Sequence, residues 1–321
     1  SLFRPNRPGY LDLAVEPSAI KTAIYDHPEF TAFIDGMNQH FAEWRRTASA
    51  RLKGLAAGCH PKEVIAELSE SLLNHYKGKP LIDAYDVYQH LMDYWAATMQ
   101  DDCYLIAADG WKAETYRIVE TDKKGKQKDK GWTCDLVPKA LVVARFFAKE
   151  QAAIDKLAAD LDATTAKLTE LEEEHSGEDA PFSGFDKINK AAVNDRLREI
   201  GNDKSAAEEL AVLKEWLKLS ATEADLKKSL KDTEAALDAK ALSQYPKLSD
   251  ADIKTLVVED KWLAALDAAI HAEMHRVSLQ LTQRVKELAE RYDTPLPQLT
   301  SHVAELETRV NAHLAKMGFA L

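Results

Sequence analysis

The chain has 321 residues, 45% of them hydrophobic, which is enough for a packed core in two domains or one elongated domain. Its net charge of −11 argues against broad, non-specific DNA binding, because such binding rests on clustered Lys and Arg, and residues 136–321 hold −8 of this total. The apolar runs are far shorter than the about 20 residues needed to cross a bilayer, and the three cysteines form no CxxC pair, so we expect a cytoplasmic protein without a membrane segment.

Residues 1–102 are predicted to form a helical segment. The proline-rich stretch 1–30 predicts irregular structure and short helices. After it, apolar residues recur every three or four positions, which is typical of amphipathic helices. The helices predicted from this pattern cover about 30–53, 61–76 and 84–99, and Pro61 suits the first turn of the second one.

A small β hairpin or sheet is predicted over residues 103–137. Tyr104–Trp111 and Ala113–Glu120 have the length and composition of short strands. The polar, glycine-containing stretch Thr121–Gly131 predicts a turn, and the sequence WTCDLV that follows could add a third strand.

Residues 138–248 are predicted to form a long antiparallel coiled-coil arm. Two heptad series of apolar residues indicate its helices, namely Ile154, Leu157, Leu161, Leu168 and Leu171, and then Leu219, Leu226, Leu230 and Leu237. Residues 176–206 form a loop insert around one short helix. At 1.5 Å per residue, a helix of about 40 residues would reach about 60 Å.

The last segment, 249–321, is predicted to be a helical hairpin. Ser249 and Asp252 predict a capping box at its start. A long helix follows, its inner face formed by Trp262, Leu266, Ile270, Met274, Val277, Leu281, Val285 and Leu288. Pro295 and Pro297 separate it from a final helix with one apolar stripe, formed by Leu299, Val303, Leu306, Val310 and Leu314. The predicted fold class is therefore mainly α, with a small β element, a long antiparallel coiled-coil hairpin and a C-terminal helical hairpin.

No sequence motif for catalysis is present. The chain has 12 glycines but no GxG cluster, no Pro-Pro pair and no GxxxxGK[ST] phosphate loop. We therefore predict no catalytic, cofactor-binding or metal-binding residue. His271 and His275 lie one helical turn apart and could chelate a metal ion, but we favour solvated or packing histidines.

Two other groups of residues have both a functional and a structural interpretation. Lys123, Lys124, Lys126, Lys128 and Lys130 form the basic cluster of the chain. They could contact DNA backbone, which requires only flexible positive charge, or simply belong to a solvated loop. Tyr85, Tyr88, Tyr94, Trp95 and Trp111 could stack on bases, although their spacing favours core packing.

Three stretches carry a family resemblance: DVYQHLMDYW (Asp86–Trp95), DLVPKALVVARFFAKEQAAID (Asp135–Asp155) and LSDADIKTLVVEDKWLAAL (Leu248–Leu266). In order and wording they resemble the C-terminal part of the modification (M) subunit of type I restriction-modification systems, in its longer-tailed form. FRPNRPGY (Phe3–Tyr10) is similar to the segment that follows the catalytic domain of that family. The resemblance implies the rear part of a DNA methyltransferase that modifies adenine N6 with S-adenosylmethionine, so we expect a fragment that neither binds this cofactor nor methylates DNA.

The resemblance also implies partners. Two M subunits assemble with one specificity (S) subunit, which reads the DNA target, and restriction (R) subunits join the full complex on DNA. In the family, C-terminal helices pack against helical spacers of the S subunit. This makes the stripe of the last helix the candidate subunit interface. Residues 156–247 depart from shorter family members, which lack so long an arm. The alternative is a stand-alone coiled-coil scaffold or adaptor without an enzymatic parent.

Overall fold

The computed structural model describes residues 2–7, 10–121, 125, 127–177, 180–201, 203, 206–292 and 296–319. It is mainly helical (76%) with two small two-stranded antiparallel sheets, which confirms the predicted fold class. The chain divides into two compact units, one formed by Ser1–Gly110 with Val258–Leu321 and the other by Trp111–Val257. Among the described residues, no helix combines the length and the apolar character that a bilayer crossing requires.

The first unit begins with a strand pair that the sequence did not predict. Strand β1 (Phe3–Arg7) runs antiparallel to β2 (Tyr10–Leu13), with Phe3 opposite Leu13. The expectation of irregular structure was therefore wrong here. The prolines that suggested it are compatible with a two-stranded sheet, in which both strands are edges.

The remainder of the first unit is helical. Its helices are α1 (Ile20–Tyr25), α2 (Pro28–Lys53), α3 (Pro61–Tyr76), α4 (Ala84–Tyr94), α5 (Gln100–Asp109), α11 (Ala264–Arg291) and α12 (Leu296–Lys316). The predicted spans of α2 and α3 are confirmed, and Pro28 and Pro61 occupy their first turns. Helix α3 packs on α2 and α4, while α11 packs on α1 and α4.

Helices α4 and α5 form one continuous rod through a π-helical segment, Trp95–Met99. Along most of the rod, buried residues follow one another at intervals of four positions, at Val87, Leu91, Trp95, Met99 and Cys103. A four-residue step exceeds the 3.6-residue α turn, and the wider π turn keeps these side chains on one face. The predicted strand at Tyr104–Trp111 was wrong, because this apolar run continues the helix.

The second unit contains the predicted β hairpin. Strand β3 (Tyr116–Thr121) confirms the strand predicted at 113–120 and pairs antiparallel with β4 (Gln127–Thr133). The predicted turn at Thr121–Gly131 was therefore too long, because β3 includes Thr121 and β4 already starts at Gln127. The expected third strand is limited to Trp132 and Thr133, which end β4.

The coiled-coil arm of the second unit is confirmed. Helix α6 (Lys139–Phe146) leads into α7 (Ala148–Glu174), which packs lengthwise on α9 (Ala207–Gln244). The short helix α8 (Lys190–Ile200) lies in the predicted loop insert and packs against α9.

The described residues of the arm form two apolar cores with a more polar stretch between them. One core is formed by Val143, Ile154, Leu237 and Ala241. The other is formed by Leu168, Phe182, Val193, Ile200, Leu213 and Trp216. Between them, Thr165 Oγ1 donates a hydrogen bond to Glu223 Oε1 (3.0 Å). The loop insert thus supplies Phe182, Val193 and Ile200 to close one end of the arm.

The last stretch of helices starts at α10 (Asp250–Lys254). The predicted capping box is present, with Ser249 and Asp252 each bonding the other's backbone N–H. A second π-helical segment, Thr255–Leu263, connects α10 to α11. It buries Leu256, Val257, Val258, Trp262 and Leu263 completely.

Candidate functional site

The final helix, α12, presents an apolar face to solvent. Leu299, Val303, Leu306 and Val310 are 46%, 53%, 43% and 54% exposed, and Leu314 is half-buried. None of the 21 residues of α12, all of which the structure describes, is buried. The stripe is therefore not buried against other described residues of the chain. We call these five residues the α12 face.

The spacing of the α12 face suits a partner helix. Its first four residues are separated by four, three and four positions, so leucine and valine alternate as the d and a residues of a heptad. The flanking positions carry His302, Arg309 and Lys316 on one side and Glu307 on the other. An apolar stripe with charged borders is the arrangement by which helices pack side by side and select their partners.

The end of α12 is defined by a glycine. Gly318 adopts a φ of +86°, a conformation that L side chains rarely adopt. Phe319 N–H donates to the Leu314 carbonyl (3.0 Å) and Gly318 N–H to the Ala315 carbonyl (3.1 Å), which is the Schellman pattern. The turn leaves Met317 and Phe319 71% and 60% exposed, and thus extends the apolar surface beyond the helix.

The π-helical segment that leads into α11 is anchored by buried polar contacts. Asp102 of α5, 4% exposed, accepts hydrogen bonds from Lys261 Nζ (2.9 Å) and Trp262 Nε1 (2.7 Å). Burial raises the pKa of Asp102, and the bonds from Lys261 and Trp262 oppose that rise. The contact holds the second π-helical segment to α5.

Glu259, in the same segment, is held by three residues of α2. Its carboxylate accepts from Arg45 Nη2 (2.9 Å), from Lys53 Nζ (2.7 Å) and from the Ser49 hydroxyl. Burial alone would raise the pKa of Glu259, but these bonds outweigh it and lower the pKa to about 2. Glu259 is therefore a carboxylate at neutral pH.

A third polar contact joins α11 to α4. Glu273, 5% exposed, accepts from Arg276 Nε (2.8 Å), and Arg276 Nη2 also reaches Asp86 (3.1 Å). His90 Nε2 lies 3.7 Å from Glu273. The bond from Arg276, followed in size by the opposing effect of burial, lowers the pKa of Glu273.

Two of the stretches that carry the resemblance meet at these contacts. Tyr94 of DVYQHLMDYW donates to the carbonyl oxygen of Lys261 in LSDADIKTLVVEDKWLAAL (3.1 Å). Sequence reasoning missed this network, because its partners lie more than 150 positions apart. The one local signal is the spacing of Arg45, Ser49 and Lys53, which follow one another on one face of α2.

The lysine cluster is only partly described. Lys123, Lys124 and Lys126 lie outside the described residues. Lys128 and Lys130 are exposed on β4, and Lys130 Nζ pairs with Glu120 (2.8 Å). The contact with DNA backbone stays a prediction.

The five candidate aromatic residues are not equivalent. Trp95 and Trp111 are buried, at 6% and 8% exposure, as core packing requires. Tyr88 and Tyr94 are half-buried, and burial raises the pKa of Tyr94 to about 12. Tyr85 is 69% exposed and lies off the buried face of α4, so the expectation of core packing was wrong for this residue.

One group of described side chains has the composition of a metal site. His40 and Glu43 of α2 and His75 of α3 each offer a ligand atom within 4.8 Å of the other two. Burial, followed by the charge of Lys79, lowers the pKa of His40. Sequence reasoning missed this group, since two of its members lie on one helix and the third on another.

The histidine pair considered from sequence lies elsewhere on α11. His271 and His275 are both exposed. His271 Nδ1 lies 2.8 Å from the carbonyl oxygen of Asp267 and 3.3 Å from its carboxylate, and the His275 ring lies 6.3 Å from that of Tyr25. Glu273 between them is buried.

Comparisons with known proteins return no matching family model, no matching curated protein and no matching solved structure.

Proposed function

We propose that the chain is the C-terminal part of the M subunit of a type I restriction-modification system, and that its role is assembly with the S subunit through the α12 face. The parent enzyme would methylate adenine N6 in the cytoplasm with S-adenosylmethionine. The chain would contact DNA and the R subunit only as part of the full complex. The three resembling stretches support the family, and the exposed apolar face supports the role.

The exposed α12 face carries the proposal because burying its apolar side chains against a partner would contribute a large free energy of binding. Burying one Val or Leu side chain fully contributes about 1.5–3 kcal/mol. About half of each of Leu299, Val303, Leu306 and Val310 is exposed. Covering these four halves would therefore contribute roughly 3–6 kcal/mol before the costs of association. Helices of the S subunit would pack side by side with α12 and cover its apolar face.

Replacement of one central residue tests this role. Val303→Asp or Val310→Asp would place a carboxylate in the apolar contact, where an unpaired charge is strongly unfavourable. We expect either variant to abolish co-purification with the S subunit of the proposed system. The helical circular dichroism and the melting temperature should not change, since both residues are exposed in the free chain.

Ser301→Asp is the matched control. Ser301 lies two positions before Val303, so it has almost the same place along the helix but points about 160° away from it. This variant should still co-purify with the S subunit. If Val303→Asp co-purifies as well as Ser301→Asp does, the α12 face is not the docking surface. If Val303→Asp unfolds the chain, the stripe is internal core and the proposal fails.

A stand-alone scaffold or adaptor is the second candidate, and the coiled-coil arm formed by α7 and α9 supports it. A coiled-coil arm with an apolar core near each end fits a scaffold as well as it fits an M subunit. This candidate predicts no binding to the S subunit at micromolar concentration, and binding of another protein through the arm. Sedimentation of the chain mixed with the S subunit distinguishes the two candidates.

A further inference from the structure

We propose that His40, Glu43 and His75 form a zinc site that joins α2 to α3. The donor set, two imidazoles and one carboxylate, is one that zinc takes in proteins, with water in the fourth position. The three ligand atoms lie within 4.8 Å of one another. In a tetrahedral site with zinc–ligand distances near 2 Å, ligand atoms are about 3.3 Å apart, so modest side-chain rotations bring them into range.

The two helices hold the ligands in register. His40 and Glu43 are three positions apart, which places them on one face of α2. One helical turn further along, Trp44 Nε1 donates to Ser71 Oγ on α3 (3.0 Å). Trp44 is only 3% exposed, so this bond lies beside the packed core. Ligands carried by packed helices keep their geometry better than ligands carried by loops.

A hydrogen bond also prepares His75 for a metal. Its Nε2 lies 2.7 Å from the carbonyl oxygen of His40. A carbonyl oxygen can only accept, so Nε2 carries a proton and Nδ1 keeps its lone pair in the neutral ring. Histidines that bind metals commonly donate their other ring N–H to a backbone carbonyl, which orients the ring. The rings of His40 and His75 are 5.9 Å apart and nearly perpendicular, so neither stacks over the other.

Glu43 completes the set from the solvent side. Its side chain is exposed, whereas His40 and His75 are half-buried. A metal ion bound here would therefore be held by histidines at the helix contact and by a carboxylate at the surface, with a water-accessible position. Such a site would link α2 to α3 and stabilise the folded chain in proportion to the free zinc concentration.

The test is zinc binding by the full chain after treatment with a chelator. Isothermal titration with zinc chloride should give one site per chain with micromolar affinity, and zinc should raise the melting temperature. Cobalt(II) in place of zinc should give the visible absorption of tetrahedral coordination. His40→Ala and Glu43→Gln should each weaken zinc binding at least tenfold. Glu43 is exposed, so its replacement leaves the fold intact and keeps the test independent of folding.

His271→Ala with His275→Ala is the control, because those two histidines are also one helical turn apart and exposed. This double variant should bind zinc as the parent chain does. The proposal is overturned if the parent chain does not bind zinc with micromolar affinity. It is also overturned if Glu43→Gln binds zinc as tightly as the parent chain does. It is equally overturned if the affinity is lost in the control instead.

Discussion

Glu259 should contribute to stability in a pH-dependent way. Its three donors on α2 lower its pKa from 4.5 to about 2. Each pKa unit corresponds to about 1.4 kcal/mol, and partial exposure of Arg45 and Lys53 reduces the effect, so we expect about 2–3 kcal/mol at neutral pH. Because the folded state lowers the pKa of this carboxylate, its contribution is complete above the unfolded value near 4.5 and decreases as pH falls toward 2.

Glu259→Gln tests this expectation, since glutamine keeps the shape of the side chain and removes its charge. Chemical denaturation should show a loss of about 2–3 kcal/mol at pH 7 and less than half of that at pH 3. The control is Glu67→Gln, which removes another carboxylate paired with α2, at Arg51 (2.6 Å). That pair is exposed, so its loss should change little. Equal losses in the two variants, or a loss for Glu259→Gln that does not change with pH, would refute the reasoning.

Two further predictions concern charged residues. Lys261→Met should destabilise the chain by about 3–5 kcal/mol, since it leaves the buried carboxylate of Asp102 without its cation, and adding Asp102→Asn should restore most of the loss in the same denaturation assay. A double variant no more stable than Lys261→Met would contradict this. Replacing all five lysines of 123–130 by Gln should weaken DNA binding by the full complex and reduce its salt dependence without changing sequence preference, whereas an unchanged salt dependence would mean that the loop is only solvated.

The periodic helices could be predicted from sequence because each buries one regular face. Helices α2 and α3 begin at Pro28 and Pro61 and end where the apolar period ends, and the Ser249 capping box is a local signal. Tyr104–Trp111 was misassigned because a short apolar run fits a strand as well as a buried helix. The π-helical segments have no compositional mark, since they arise from the fit of side chains in the folded core.

The candidate sites also have one part that residue spacing predicts and another that depends on tertiary packing. The stripe of α12 is visible in the spacing of Leu299 to Val310, but spacing does not tell whether the rest of the chain covers it, and only the structure shows that it is exposed. The contacts of Glu259 with α2, and of His75 with His40, depend on tertiary packing. No local pattern of sequence predicts such pairs.

The most direct test of the proposed function is hydrogen–deuterium exchange of the chain with and without the S subunit of the proposed system. Adding the S subunit should slow exchange most strongly in α12, because the amides of this uncovered helix become part of a packed one. Helix α3, already packed within the first unit, should exchange as before and serves as the internal reference. Unchanged exchange in α12 at saturating S subunit, with or without protection elsewhere, would contradict the proposal that the α12 face is where this chain docks.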